Sequence, residues 1–103
     1  MPTTSERVFR VIGEAVDELN RGLPREKRAQ KEPESPLYSE SGTLDSLSLA
    51  TLVVLAEIKL EEEFGQTISL ADEKAMSEKR SPFRTVGTMT EYAAHLLREN
   101  GHS

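Results

Sequence analysis

The sequence predicts an all-α domain. Apolar residues recur at helical spacing in three separate stretches, and no segment sustains the period-2 alternation of a half-buried strand. All five prolines fall outside those stretches. The 103 residues suit one compact domain spanning 1-103.

The first helix is expected to begin near Thr4, because Thr3 and Glu6 have capping-box spacing. Val8, Ile12, Ala15, Val16 and Leu19 then share a face, and Asn20, Gly22 and Pro24 end the helix. Residues 20–43 form a long connection containing Pro24, Pro33 and Pro36, with basic residues Arg21, Arg25, Lys27, Arg28 and Lys31 in its first half. A loop this long is either functional or partly ordered. A short helical turn is possible over 24–30, with Pro24 at its first position. Leu37 and Tyr38 are the expected anchors on the core, and the basic residues read as a solvated segment.

The second helix carries the strongest signal, over about 46–63. Asp45 is placed as its N-cap and Gly65 just past its end. Leu49, Leu52, Val53, Ala56 and Leu60 share one face, while Leu47, Val54 and Ile58 form a second apolar stripe on roughly the opposite side. Such a helix is either wrapped on both sides or exposes an apolar strip. A short apolar step, Ile68 to Leu70, precedes a weak helical segment over about 71–78, which Ser81 and Pro82 break. The last helix starts at the N-cap Thr85 and runs to about Arg98, with Val86, Met89, Ala93, Leu96 and Leu97 facing inward. The expected fold is thus a four-helix bundle with a short third helix. Helices one, two and four enclose the core, and the long loop between helices one and two is strapped across one side.

Net charge is −5, which argues against nucleic acid as a main partner, since phosphate binding needs a basic surface. An acidic surface suits basic protein partners. The absence of Cys excludes disulfides, thiolate catalysis and Cys-based zinc sites in this chain. Met1 to Arg10 lacks an apolar signal core and no stretch approaches a membrane span, so a cytoplasmic location is expected.

One segment stands out chemically. Leu44, Asp45, Ser46 and Leu47 mark the junction of the long loop with the strongest helix. A serine there meets outward-pointing N–H groups and the positive end of the helix dipole, which suits a phosphate ester. By itself Asp-Ser-Leu is also ordinary capping followed by core, and it arises by chance in about one chain in thirty of this size.

The segment has company. From about Val8 to Leu97 the chain resembles the acyl carrier protein family, through Asp45-Ser46-Leu47 at the start of helix two, Glu61-Glu62-Glu63-Phe64-Gly65 at its end, and Thr85-Val86-Gly87 opening the last helix. The resemblance implies that a phosphopantetheinyl transferase, using coenzyme A and Mg²⁺, attaches 4′-phosphopantetheine to the Ser46 hydroxyl. The thiol of that arm then bears an acyl group, so a chain without Cys suffices. Asp45 is the neighbour implied to help present the serine to the transferase, and Leu47 beside it can hold the serine near an apolar surface. The carrier itself catalyses nothing, and its partners are the transferase and the acyl-loading and acyl-using enzymes of fatty-acid or specialised acyl and polyketide biosynthesis. A monomer is expected. Peptidyl and D-alanyl carriers share this architecture.

Two features depart from the family's common form. Helix two is about one turn longer, an insertion of about four residues that nearly keeps helical phase. Its outward face carries Leu47, Ser48, Thr51, Val54 and Ile58 where carboxylates are common, and the acidic residues come later, at Glu57 and Glu61 to Glu63. Either a more apolar partner docks on Leu47, Thr51, Val54 and Ile58, or the long loop covers them through Leu37 or Tyr38. A cofactor-free helical protein-binding module is the alternative reading. An enzyme reading that pairs Ser46 with His95 lacks an acidic orienter and an oxyanion-hole motif.

Overall fold

The computed structural model describes residues 2–38, 42–71 and 82–100. Among them lie three α-helices, α1 (Thr4–Arg21), α2 (Ser46–Phe64) and α3 (Val86–Asn100), one 3₁₀ turn at Arg25–Lys27, and no strand. The short third helix expected over 71–78 falls almost entirely outside the described residues, so α3 is the expected last helix. α1 packs against both α2 and α3.

Local chemistry accounts for each helix boundary. At the start of α1 the Glu6 N–H donates to Thr3 Oγ1 at 3.1 Å, and the Thr3 N–H reaches Glu6 Oε1 at 3.5 Å, completing the capping box. Val8, Val11, Ile12, Ala15, Val16 and Leu19 are its buried stripe. Asn20 then acts as a clip. Its side chain donates to the Ala29 carbonyl and accepts the Ala29 N–H, both at 2.9 Å. The connecting chain is thereby folded back along the end of α1, and Ala29 is buried.

α2 buries Leu49, Leu52, Val53, Ala56 and Leu60 and stops at Gly65, whose φ of 69° is left-handed. The Gly65 N–H donates to Glu61 O at 2.8 Å, the usual glycine stop. Ile68 and Leu70 then re-enter the core, and Glu57 Oε2 accepts the Leu70 N–H at 2.6 Å.

Segment 33–38 forms a strap across the start of α3. The Leu37 and Tyr38 N–H groups donate to Arg84 O and Phe83 O at 2.7 and 3.0 Å. In return the Val86 and Gly87 N–H groups donate to Ser35 O and Pro33 O at 3.0 and 2.7 Å. The Thr88 N–H donates to Thr85 Oγ1 at 3.1 Å, and the Thr85 N–H to Thr88 Oγ1 at 3.0 Å. The four N–H groups that a helix leaves without an internal partner therefore all find one here. Gly87 permits the approach, because a Cβ at that position would stand 2.8 Å from Pro33 O.

The core joins these parts through Leu37, Phe83, Val86, Met89, Ala93, Ala94 and Leu97, all buried. Phe83 and Tyr92 meet edge to face at 5.9 Å. Leu96, expected to face inward, is only partly buried, and Thr90 and Ala94 complete the inner face of α3. The turn along α3 favours position 94 over 96 because 86, 90, 93, 94 and 97 share one stripe at 3.6 residues per turn.

Candidate functional site

Ser46 is the first residue of α2, and the helix is capped by its predecessor. Asp45 Oδ1 accepts the Ser48 N–H at 2.8 Å and its carbonyl accepts the Leu49 N–H at 2.9 Å. The backbone N–H of Ser48, then its hydroxyl, hold the Asp45 carboxyl below the usual carboxylate range, and the charge of Lys27 acts in the same direction. Because Asp45 does the capping, the Ser46 hydroxyl is not used to end the helix. It is exposed, and its Oγ lies 3.2 Å from the hydroxyl of Tyr38.

Tyr38 reaches this position from the strap. Leu37 beside it is fully buried, and Tyr38 itself is half-buried against the core. The Leu44 N–H donates to Leu37 O at 3.3 Å, which ties the residues just before α2 to the same strap. Both anchors expected from the sequence therefore hold the loop to the core. The contact of Tyr38 with Ser46 was not expected. It joins residues eight apart across irregular chain, where no spacing rule applies. A lone aromatic in a polar loop eight residues before the serine was the one available signal.

The second stripe of α2 is open. Leu47, Val54 and Ile58 are 77%, 53% and 52% exposed, so the strap does not cover them. Thr51, between them at spacings of four and three, donates its hydroxyl to Leu47 O at 3.0 Å. The later carboxylates divide. Glu57 holds the Leu70 N–H, and Glu63 pairs with Arg7 at 3.1 Å and Arg10 at 2.8 Å, whereas Glu61 and Glu62 face solvent. The open face is thus an apolar stripe with two exposed carboxylates toward its C-terminal end.

The basic part of the connection is solvent-exposed, as expected, and partly tethered. Lys31 pairs with Asp17 at 3.0 Å, and Arg28 Nε donates to Leu23 O at 3.0 Å. His95 Nε2 lies 3.2 Å from Glu99 Oε1, one turn on, and Ser46 Oγ lies 3.2 Å from the Tyr38 hydroxyl. Among the described residues no group of three or more His, Cys, Asp or Glu could hold a metal ion, and no helix is long and apolar enough to cross a membrane.

The site offers one exposed aliphatic hydroxyl at the positive end of a 19-residue helix, flanked by a carboxylate and an exposed leucine. An exposed hydroxyl at that end of a helix is chemically suited to a phosphate ester. Comparison with protein-family models, with curated proteins and with solved structures finds no match to this chain.

Proposed function

We propose that this chain is an acyl carrier protein that bears 4′-phosphopantetheine on Ser46. The observation that carries the reading is the division of labour at the start of α2. Asp45 takes the capping bond, and the neighbouring Ser46 hydroxyl is left exposed at the helix N-terminus. A capping serine would have its oxygen committed to a backbone N–H; this one does not need to give up such a bond to be modified.

The residues fit the arm. Ser46 and Leu47 are exposed side by side, so a transferase can reach the hydroxyl, and the helix dipole favours the phosphodiester charge. The arm supplies a thiol on which acyl groups ride as thioesters, chemistry that a chain without Cys does not have. The chain itself contributes no catalytic group. Its role is to hold the attachment point and to present a surface to successive enzymes of fatty-acid or specialised acyl biosynthesis, including the phosphopantetheinyl transferase. The proposal includes a monomeric cytoplasmic carrier of four-helix-bundle type.

The open stripe of Leu47, Thr51, Val54 and Ile58 supports enzymes that dock through an apolar ridge, with basic groups opposite Glu61 and Glu62. The same stripe is the observation that favours the second reading, a cofactor-free module that binds a partner on α2. Intact-protein mass spectrometry after incubation with coenzyme A, Mg²⁺ and a broad-specificity transferase separates the two. The carrier reading expects a phosphopantetheine-sized gain that Ser46→Ala abolishes. No gain on the folded chain with several transferases leaves the binding module. A Val54→Glu variant that folds, loads and serves the acyl-using enzyme as the native chain does would remove the apolar docking face from the proposal.

A further inference from the structure

We infer that Tyr38 is a positioning residue for Ser46, its hydroxyl orienting the serine oxygen before modification and donating to the phosphodiester afterwards. The inference rests on the carrier reading above.

A serine side chain has three staggered χ1 positions, and a hydrogen bond to its hydroxyl favours the one that points it at the partner. Here the selecting partner is the Tyr38 hydroxyl, 3.2 Å from Oγ. The phenol is fixed from its own backbone. The Tyr38 N–H donates to Phe83 O at 3.0 Å, and the neighbouring Leu37 is fully buried with its N–H on Arg84 O at 2.7 Å. The Leu44 N–H on Leu37 O ties the start of α2 to the same framework. Both hydroxyls thus hang on one small scaffold of strap, helix start and the segment entering α3. The separation is longer than the roughly 2.5–3.0 Å common for hydroxyl pairs, so the pair can tighten when one partner gains charge.

Chemistry sets the direction of that bond. In the loading step the Ser46 oxygen forms a bond to the pantetheine-bearing phosphorus of coenzyme A. The bridging P–O bond of the pyrophosphate breaks, adenosine 3′,5′-bisphosphate leaves with that electron pair, and the serine proton passes to a base of the transferase. A Tyr38 hydroxyl that donates to Oγ keeps the Ser46 O–H free for removal and aims the remaining lone pair. After the step, the ester oxygen has no proton and only accepts, as do the phosphate oxygens beside it. The phenol is then the donor of the pair, and its bond to an anion is charge-assisted. The strap would in this way register whether the arm is attached.

Tyr38→Phe removes the hydroxyl and keeps the ring that packs on the core. Tyr38→Leu is a second hydroxyl-free variant, and circular dichroism melts establish that each is folded. With the native chain loaded at Ser46, steady-state loading is expected to show kcat lower by about three- to tenfold with KM within about twofold, the size a neutral hydrogen bond supports. After exhaustive loading, the ³¹P resonance of the folded holo variants is expected to sit away from the native position and to coincide with it once all are unfolded in urea. A tyrosine that only supports the fold moves neither the ³¹P position nor kcat alone. Either readout unchanged in a folded variant overturns the role of Tyr38 while the carrier reading stands. A native chain that is never loaded at Ser46 overturns both.

Discussion

At the first turn of α2 two adjacent polar side chains do different work. Asp45 satisfies the Ser48 N–H and faces the helix dipole with a negative charge, whereas the Ser46 hydroxyl is directed away from the cap toward Tyr38. Replacing Asp45 therefore tests stability and replacing Ser46 tests chemistry. Asp45→Ala is expected to lower the melting temperature by about 4–8 °C in a chain this size, and Asp45→Asn to stay near the native value because asparagine caps as well as aspartate. Thermal melts followed by circular dichroism at neutral pH read both. An Asp45→Asn variant as unstable as Asp45→Ala would show that charge, and not the capping bond, is what the helix start needs.

Among the elements, the least regular one organises the rest. The strap from Pro33 to Tyr38 supplies acceptors to the opening N–H groups of α3, takes donors into Phe83 and Arg84, and carries Leu37 into the core. Two glycines show how tightly that contact is made. A Cβ on Gly87 would meet Pro33 O at 2.8 Å, whereas one on Gly13, inside α1, would meet only the flexible Lys31 side chain at 3.7 Å. Gly87→Ala is thus expected to destabilise by about 1–3 kcal/mol through forced separation of strap and helix. Gly13→Ala is expected to stabilise by about 0.5–1 kcal/mol through helix propensity and reduced freedom of the unfolded chain. Urea unfolding of both variants checks the opposite signs. Equal and small effects would mean that the strap yields without cost.

On the scale of the whole molecule, the start of α1 is tied to the end of α2. Arg7 and Arg10 bracket Glu63, and the Arg7 guanidinium lies over the Phe64 ring, 4.3 Å from its centre. Hydrogen bonds from Arg10 and then Arg7 hold the Glu63 carboxyl below the usual carboxylate range. A carboxyl lowered in the folded state adds stability above its unfolded pKa of about 4.3 and loses it as pH falls through the lower folded value. Asp45 and Glu32 are lowered as well, so their contributions have the same sign. Melting temperature is accordingly expected to fall on acidification from about pH 5 toward pH 2, and to fall less steeply in Glu63→Gln. Because these groups are at the surface, solvent screening keeps the effect modest and added salt should shrink it. A Glu63→Gln chain with the native acid profile would show that the bracket is electrostatically idle.

What the sequence by itself determined is whatever depends on near neighbours. The capping box at Thr3 and Glu6, the cap at Asp45, the left-handed stop at Gly65 and the cap at Thr85 each involve residues at most four apart, and the structure forms each one. The buried faces of α1 and α2 follow in the same way from the 3.6-residue period. The second stripe of α2 was legible as a stripe, but its exposure depends on where a distant loop runs. The tertiary structure decided that loop's path, and with it the open face at Leu47, Val54 and Ile58. It also decided the assignment of Glu57 to Leu70 and of Glu63 to Arg7 and Arg10, the contact of Gly87 with Pro33, and the meeting of Tyr38 with Ser46. These pairs join segments through irregular chain or across helices, where periodicity records which side a residue faces and nothing about what it will face.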